Sequence, residues 1–253
     1  MRILTSFTLK SVLSTLLVLS MMFSAGPISQ AHAEEPELIN IPGSFSGSFG
    51  FLTDYRFRGI TQTASEMAVQ GSFDWAHEKG YYFGVWGSNV EFGAAGAGNT
   101  EFDFYAGVAR EYYGITFDIA GIWYTYPGAT ESLGLDYFEY MFGMSHDFGL
   151  IAMGVTAYYS PENTASSGNG AYISYDAEVP LVSRLAMTGH VGHQWIDDEV
   201  AFGKPDYLDW SIGATYATHG FDLSLTYIDT DLTTAECSTG CDDSVVFGIA
   251  RSF

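Results

Sequence analysis

Positive charge is scarce in this 253-residue sequence: nine Lys and Arg stand against 30 Asp and Glu, a formal net charge of −21 at pH 7. A chain so acidic repels nucleic acid and anionic lipid surfaces, and it carries no basic patch that would bind either. Cysteines number two and prolines seven. After the first 33 residues there is no apolar run near the roughly 20 residues a membrane-crossing helix needs, and helical spacing of apolar residues is missing as well. What is present is aromatic: Phe, Tyr and Trp make up 16% of the chain, beside 29 glycines. That mixture suits strands, tight turns and rings at an interface, and is unsuited to disorder.

The only long apolar run lies in a leader. Arg2 and Lys10 precede the run from Val12 to Phe23, and Ala31-His32-Ala33 supplies small residues for cleavage, so residues 1–33 read as a signal peptide cut after Ala33. A retained anchor would need a longer run. Cleavage removes two cations and no acids, leaving seven Lys and Arg and a net charge two units more negative. Residues 34–43 then form a short periplasmic N-terminal segment and residues 44–253 the folded domain. In an exported chain Cys237 and Cys241, which flank Ser-Thr-Gly, are expected to form a small loop disulfide. The rival reading, a metal site, lacks a nearby His, and neither a metal nor another cofactor is expected.

From Ser44 onward one design repeats: about ten residues of alternating polarity, then a short or a long interruption. The apolar parity is carried by residues such as Phe45, Phe49 and Phe51, then Phe73 and Trp75, then Phe102 and Phe104, and so on to Phe247 and Phe253. Continued past Phe51, the same parity takes in Tyr55 and Phe57. Only the segment 81–90, bulky on both parities, resists assignment of its faces. The total is twelve strands. Short interruptions near residues 78–80, 112–114, 147–149, 180–183 and 218–220 alternate with long ones at 58–66, 91–99, 127–133, 160–170, 197–206 and 229–243. An up-and-down antiparallel meander with both ends on the short-turn side gives that order, and an even strand number permits closure into a barrel.

The opposite parity decides between a soluble and a transmembrane barrel. It carries Asp74, Asp103, Glu139, Asp176, Asp209, Gln70, His190 and Gln194 among many Gly, Ser and Thr. Rings outward and acids inward fit a transmembrane β-barrel with a polar lumen, since twelve strands of large rings would overfill a soluble core. In the stretch LTDYRFRGITQT, residues 52–63, the alternation places Tyr55 and Phe57 in the outer aromatic girdle. Asp54, Arg56 and Arg58 would form a charged ladder on the water side near the exterior mouth, level with Gln70, Glu66, Glu101 and Asp103. The expected lumen-lining set is therefore Asp54, Arg56, Arg58, Asp74, Asp103, Glu139, Asp176, His190 and Asp209. Twelve strands fall between eight, which side chains fill, and sixteen, which leave a water-filled channel, so the lumen should be narrow and partly open.

The run DYRFRG, with WGSN at 86–89, resembles features of the TorF-type family of outer-membrane porins, a conserved proteobacterial family; the similarity is strongest over residues 47–92. The resemblance implies an outer-membrane location and a pore, and it supplies no catalytic or binding residues.

Three functions are weighed on this basis. The first is a channel in which Asp103, Glu139 and Asp176 attract small cationic or polar solutes. The second is a non-conducting structural or surface-binding barrel. Its acidic loops, Asp197, Asp198, Glu199 and Asp206 in one and Asp229, Asp231, Asp242 and Asp243 in another, would bridge divalent cations to lipopolysaccharide. The third, a lipase-like enzyme, would need Ser, His and an orienting partner on one surface; no strand offers His and Ser two apart on the lipid-facing parity, so no catalytic residue is expected. Besides outer-membrane lipid, the expected partner is the barrel assembly machinery, met through the C-terminal strand that ends in Phe253.

Overall fold

The computed structural model describes residues 42–253; the expected signal peptide lies outside the described residues, as does all but the end of the 34–43 segment. Twelve strands form one closed barrel: β1 Ser44–Leu52, β2 Ala68–Ala76, β3 Tyr81–Asn89, β4 Thr100–Tyr112, β5 Ile115–Thr125, β6 Tyr137–Asp147, β7 Ala152–Ser160, β8 Gly170–Val182, β9 Leu185–Ile196, β10 Tyr207–Thr218, β11 Phe221–Thr230 and β12 Ser244–Ser252. Every strand pairs antiparallel with its neighbours in sequence. β1 closes the ring by pairing with β12, Ser48 opposite Ser252, and the Gly47 and Phe253 backbones exchange hydrogen bonds of 2.9 and 3.0 Å. Closure satisfies every edge, which a sheet exposed to lipid requires. Five tight turns gather at the end that holds Ser44 and Phe253, and six long loops gather at the other.

Side chains of period two sort onto two faces. Phe45, Phe73, Phe104, Ile119, Tyr140, Tyr175, Ile212, Leu225 and Val245 are all exposed on the outside, while Asp103, Glu139, Gln194 and Asp209 are buried within. A belt of bare rings and aliphatic chains around a polar interior is the arrangement of a transmembrane barrel. Among the described residues no helix is long and apolar enough to cross a membrane, so crossing falls to the strands. In β3 the faces that the sequence leaves open are now fixed: Tyr81 and Phe83 are exposed, and Trp86 and Ser88 are buried inside.

One expectation is overturned. β1 stops at Leu52, and residues 53–67 leave the wall at the long-loop end. Tyr55 is 6% exposed and packs edge-on against Trp86 with ring centroids 5.3 Å apart; Phe57 meets Tyr124 at 5.8 Å. Neither ring belongs to an outer girdle. The alternation past Phe51 is real, but its apolar members pack against inward-facing rings of the barrel instead of lipid.

Candidate functional site

The segment after β1 folds into a two-residue-stranded hairpin inside the barrel. Arg56 pairs with Thr61 and Phe57 with Ile60, leaving Arg58 and Gly59 as the turn. Both have positive φ, 46° and 80°, as a type I′ turn requires. Glycine supplies that geometry freely, whereas at Arg58 it carries a backbone cost, and the turn points this side chain across the lumen. A Cβ on Gly59 would meet Thr230 and come within 2.9 Å of the Asp209 Cβ, so the tip lies tight against the wall. The base of the hairpin is built on Asp54, 4% exposed, which accepts from Arg56 Nε at 2.7 Å and from the hydroxyls of Thr61 and Thr63.

The hairpin carries Arg58 into the interior. From a loop between β1 and β2 it reaches β6 to β9, on the opposite wall. Nη2 donates to Glu139 Oε1 and Oε2 at 3.0 and 2.7 Å, and Nη1 donates to Gln194 Oε1 at 2.7 Å. Its guanidinium carbon lies 4.7, 5.1 and 4.2 Å from the ring centroids of Phe57, Tyr158 and Tyr172. Glu139, Tyr158, Tyr172 and Gln194 each sit two residues in from the long-loop end of their strand, so they form a level ledge below that mouth. The Arg58 side chain is 7% exposed and that of Glu139 1% exposed, so the ion pair is enclosed at that height.

Two other acids on the inner face, Glu101 and Asp103, lack such compensation. Neither Asp103 oxygen has a hydrogen-bond partner, nor do Glu101 Oε2 and Gln70 Nε2, although Glu101 Oε1 accepts from Tyr126 at 2.7 Å. Glu101 is 2% and Asp103 1% exposed. Farther in, Tyr82 donates to Asp118 at 2.8 Å and Tyr105 to Asp74. His190 lies between Asp176 at 2.6 Å and Asp209 at 3.0 Å, and the Tyr172 hydroxyl meets both His190 Nε2 and the Asp209 carboxylate at 2.9 Å. Asp74, Asp103, Glu139, Asp176, His190 and Asp209 thus all project from strands into the interior. Asp54, Arg56 and Arg58 also lie within it, but on the inserted hairpin and not as a ladder on β1. Arg56 turns away from the lumen axis, donating to the carbonyls of Gly59 at 3.1 Å and Asp242 at 2.6 Å.

Asp242 belongs to the loop between β11 and β12, where Cys237 and Cys241 are joined by a disulfide. The Gly240 carbonyl in the same loop accepts from Thr61 N at 2.9 Å. The bridged segment therefore holds one side of the hairpin, and Glu91 N holds the other through the Gln62 carbonyl at 2.7 Å. Elsewhere in the bridged loop, the Thr233 hydroxyl and amide donate to Glu236 and keep its carboxyl below the ordinary range. Among the described residues no group of three or more His, Cys, Asp and Glu is placed to hold a metal ion.

The sequence reading missed the tyrosines inside. Tyr82, Tyr105, Tyr124, Tyr137, Tyr158, Tyr172 and Tyr207 share the parity of the acids, and that shared parity was the available signal. They fit because glycines face them: a Cβ at Gly84 would lie 2.5 Å from the Tyr105 oxygen, and one at Gly107 equally close to that of Tyr82.

Solved structures share this fold at very low sequence identity. The KdgM porin superposes with a TM-score of 0.56 at 4% identity, covering 82% of this chain and 99% of that one. The NanC porin gives 0.54 at 9% identity, over 82% and 98%. An outer membrane channel from Pseudomonas putida F1 gives 0.50 at 9% identity, over 88% and 100%. No curated protein sequence matches the chain. Residues 39–253, the whole barrel and the five residues before it, match the family described as "Bacterial protein of unknown function (Gcw_chp)", and the chain belongs to that family.

Proposed function

We propose that this protein is an outer-membrane channel of the TorF-type porin class, passing small cationic or polar solutes through a narrow acidic lumen. Its belt of exposed rings suits a bilayer, and the solved structures of like fold are named as porins and an outer membrane channel. One observation carries the reading: the inner wall presents Asp74, Glu101, Asp103, Asp118, Glu139, Asp176 and Asp209, and Arg56 and Arg58 come from an inserted hairpin and not from the wall. A wall of fixed negative charge in a confined, low-dielectric passage draws cations and repels anions. The hairpin would then be the constriction and Arg58 its latch.

The mature protein, folded and inserted in a planar bilayer under a salt gradient, tests this through its reversal potential. A cation-preferring potential that weakens as salt screens the wall is expected. Anion preference, or no current from demonstrably folded protein, would reject the channel.

The latch itself favours a second reading, a barrel that stays shut and serves as a structural or surface-binding element. Its acidic loops, with Asp197, Asp198 and Glu199 beside Asp206, would then bridge divalent cations to lipopolysaccharide. In both readings the long loops face outward, and the strand ending in Phe253 is the segment offered to the assembly machinery.

A further inference from the structure

The surroundings of Arg58 form a guanidinium cage. A carboxylate accepts two bonds from one guanidinium nitrogen, an amide oxygen accepts from another, and three aromatic rings lie within 5.1 Å of the central carbon. Each component matches the cation it holds: a planar fork of donors suits carboxylate and amide oxygens, and a delocalised, weakly hydrated charge suits ring faces. Two of these rings, Tyr158 and Tyr172, and both acceptors belong to the barrel wall. The cage would therefore persist if the hairpin withdrew.

We propose that this ledge of Glu139, Gln194, Tyr158 and Tyr172 is a binding site for solutes that bear a guanidinium group, and that Arg58 is a tethered stand-in which such a solute displaces. The inference rests on the channel reading for its solute class and deepens it: the constriction recognises what it passes. Two observations beyond the cage support exchange. Arg58 occupies it from a turn with positive φ at a non-glycine residue, a conformation that costs free energy and eases release. Asp103, nine-tenths buried and more, has both carboxylate oxygens without a protein partner while Arg58 satisfies Glu139. The region thus holds carboxyl oxygens that its own cation leaves without a partner, and an incoming cation has somewhere to wait.

The test uses Arg58→Asn. Asparagine is favoured in a type I′ turn, so the hairpin keeps its geometry while the cage loses its occupant. Methylguanidinium is titrated calorimetrically into the full mature barrel in detergent, with circular dichroism and resistance to heat as controls for folding. The variant is expected to bind methylguanidinium saturably, at least about tenfold more tightly than methylammonium, which cannot offer the planar fork. Wild-type protein, with Arg58 in place, should bind at least about tenfold more weakly than the variant. Adding Glu139→Gln should abolish binding. No saturable binding to a folded variant, equal affinity for methylammonium, or binding that survives Glu139→Gln would overturn the site. Ion flow is scored separately: a barrel that conducts without binding methylguanidinium loses the site and keeps the channel, and one that binds without conducting keeps the site and loses the channel.

Discussion

Arg58 and Glu139 meet inside the barrel, Nη2 lying 3.0 and 2.7 Å from the two carboxylate oxygens, although one residue belongs to the loop after β1 and the other to β6. A charge pair this enclosed is stabilising mainly in the sense that each member would be costly without the other.

That dependence predicts a coupling. Arg58→Asn and Glu139→Gln should each destabilise the barrel, and the double variant should cost about 2 kcal/mol less than the two single changes combined. Reversible urea unfolding in lipid vesicles gives the four free energies. Additivity within about 0.5 kcal/mol would show that the two side chains do not sense one another.

The bridge between Cys237 and Cys241 should act on the hairpin as well as on its own loop, because the Gly240 and Asp242 carbonyls hold Thr61 and Arg56. Replacing both cysteines by serine should leave the barrel folded, at a loss of about 2 kcal/mol for so short a loop. Trypsin should then cut after Arg56 or Arg58 faster than in the bridged protein. An unchanged cleavage rate would mean that the bridge does not restrain the hairpin.

Charge should be tolerated on one face of the wall and not on the other. Ile119 is 58% exposed near the middle of β5, whereas Ser224 faces the interior from β11. Ile119→Arg is expected to cost about 2–4 kcal/mol of folding free energy in a bilayer, the figure for an arginine at the midplane. Ser224→Arg should fold and weaken cation preference. Equal tolerance at both positions would contradict the assignment of faces.

Orientation follows from the loops. Cysteines introduced into residues 160–170 should react with an impermeant maleimide on intact cells, and one introduced at His219 should not. The reverse labelling would place the short turns outside.

Much of this was legible in the sequence, and the reasons are physical. Strand number, the alternation of short turns with long loops, and the outward rings all follow from a period of two acting against lipid on one side and water on the other. The inward acids Asp103, Glu139, Asp176 and Asp209 were legible for the same reason. The stretch from Thr53 to Gln62 misled because a hairpin buried against an aromatic wall shows the same alternation as a strand facing lipid. Its one local sign was Gly59 after Arg58, a pair whose positive φ values end a strand and reverse it. Bringing Arg58 to Glu139, Gln194 and Tyr172 depends on strands five to eight places along the chain, and no local pattern encodes a contact across a barrel.

The most direct test of a latched acidic lumen is single-channel recording of wild-type protein beside Arg58→Asn. With the latch intact, small cation-preferring conductance is expected. Without the guanidinium, the turn should persist and the folded barrel should show larger conductance with a sharper cation preference, because Glu139 is freed while a positive charge is lost. Unaltered conductance and reversal potential in a stably folded Arg58→Asn barrel would contradict the latch.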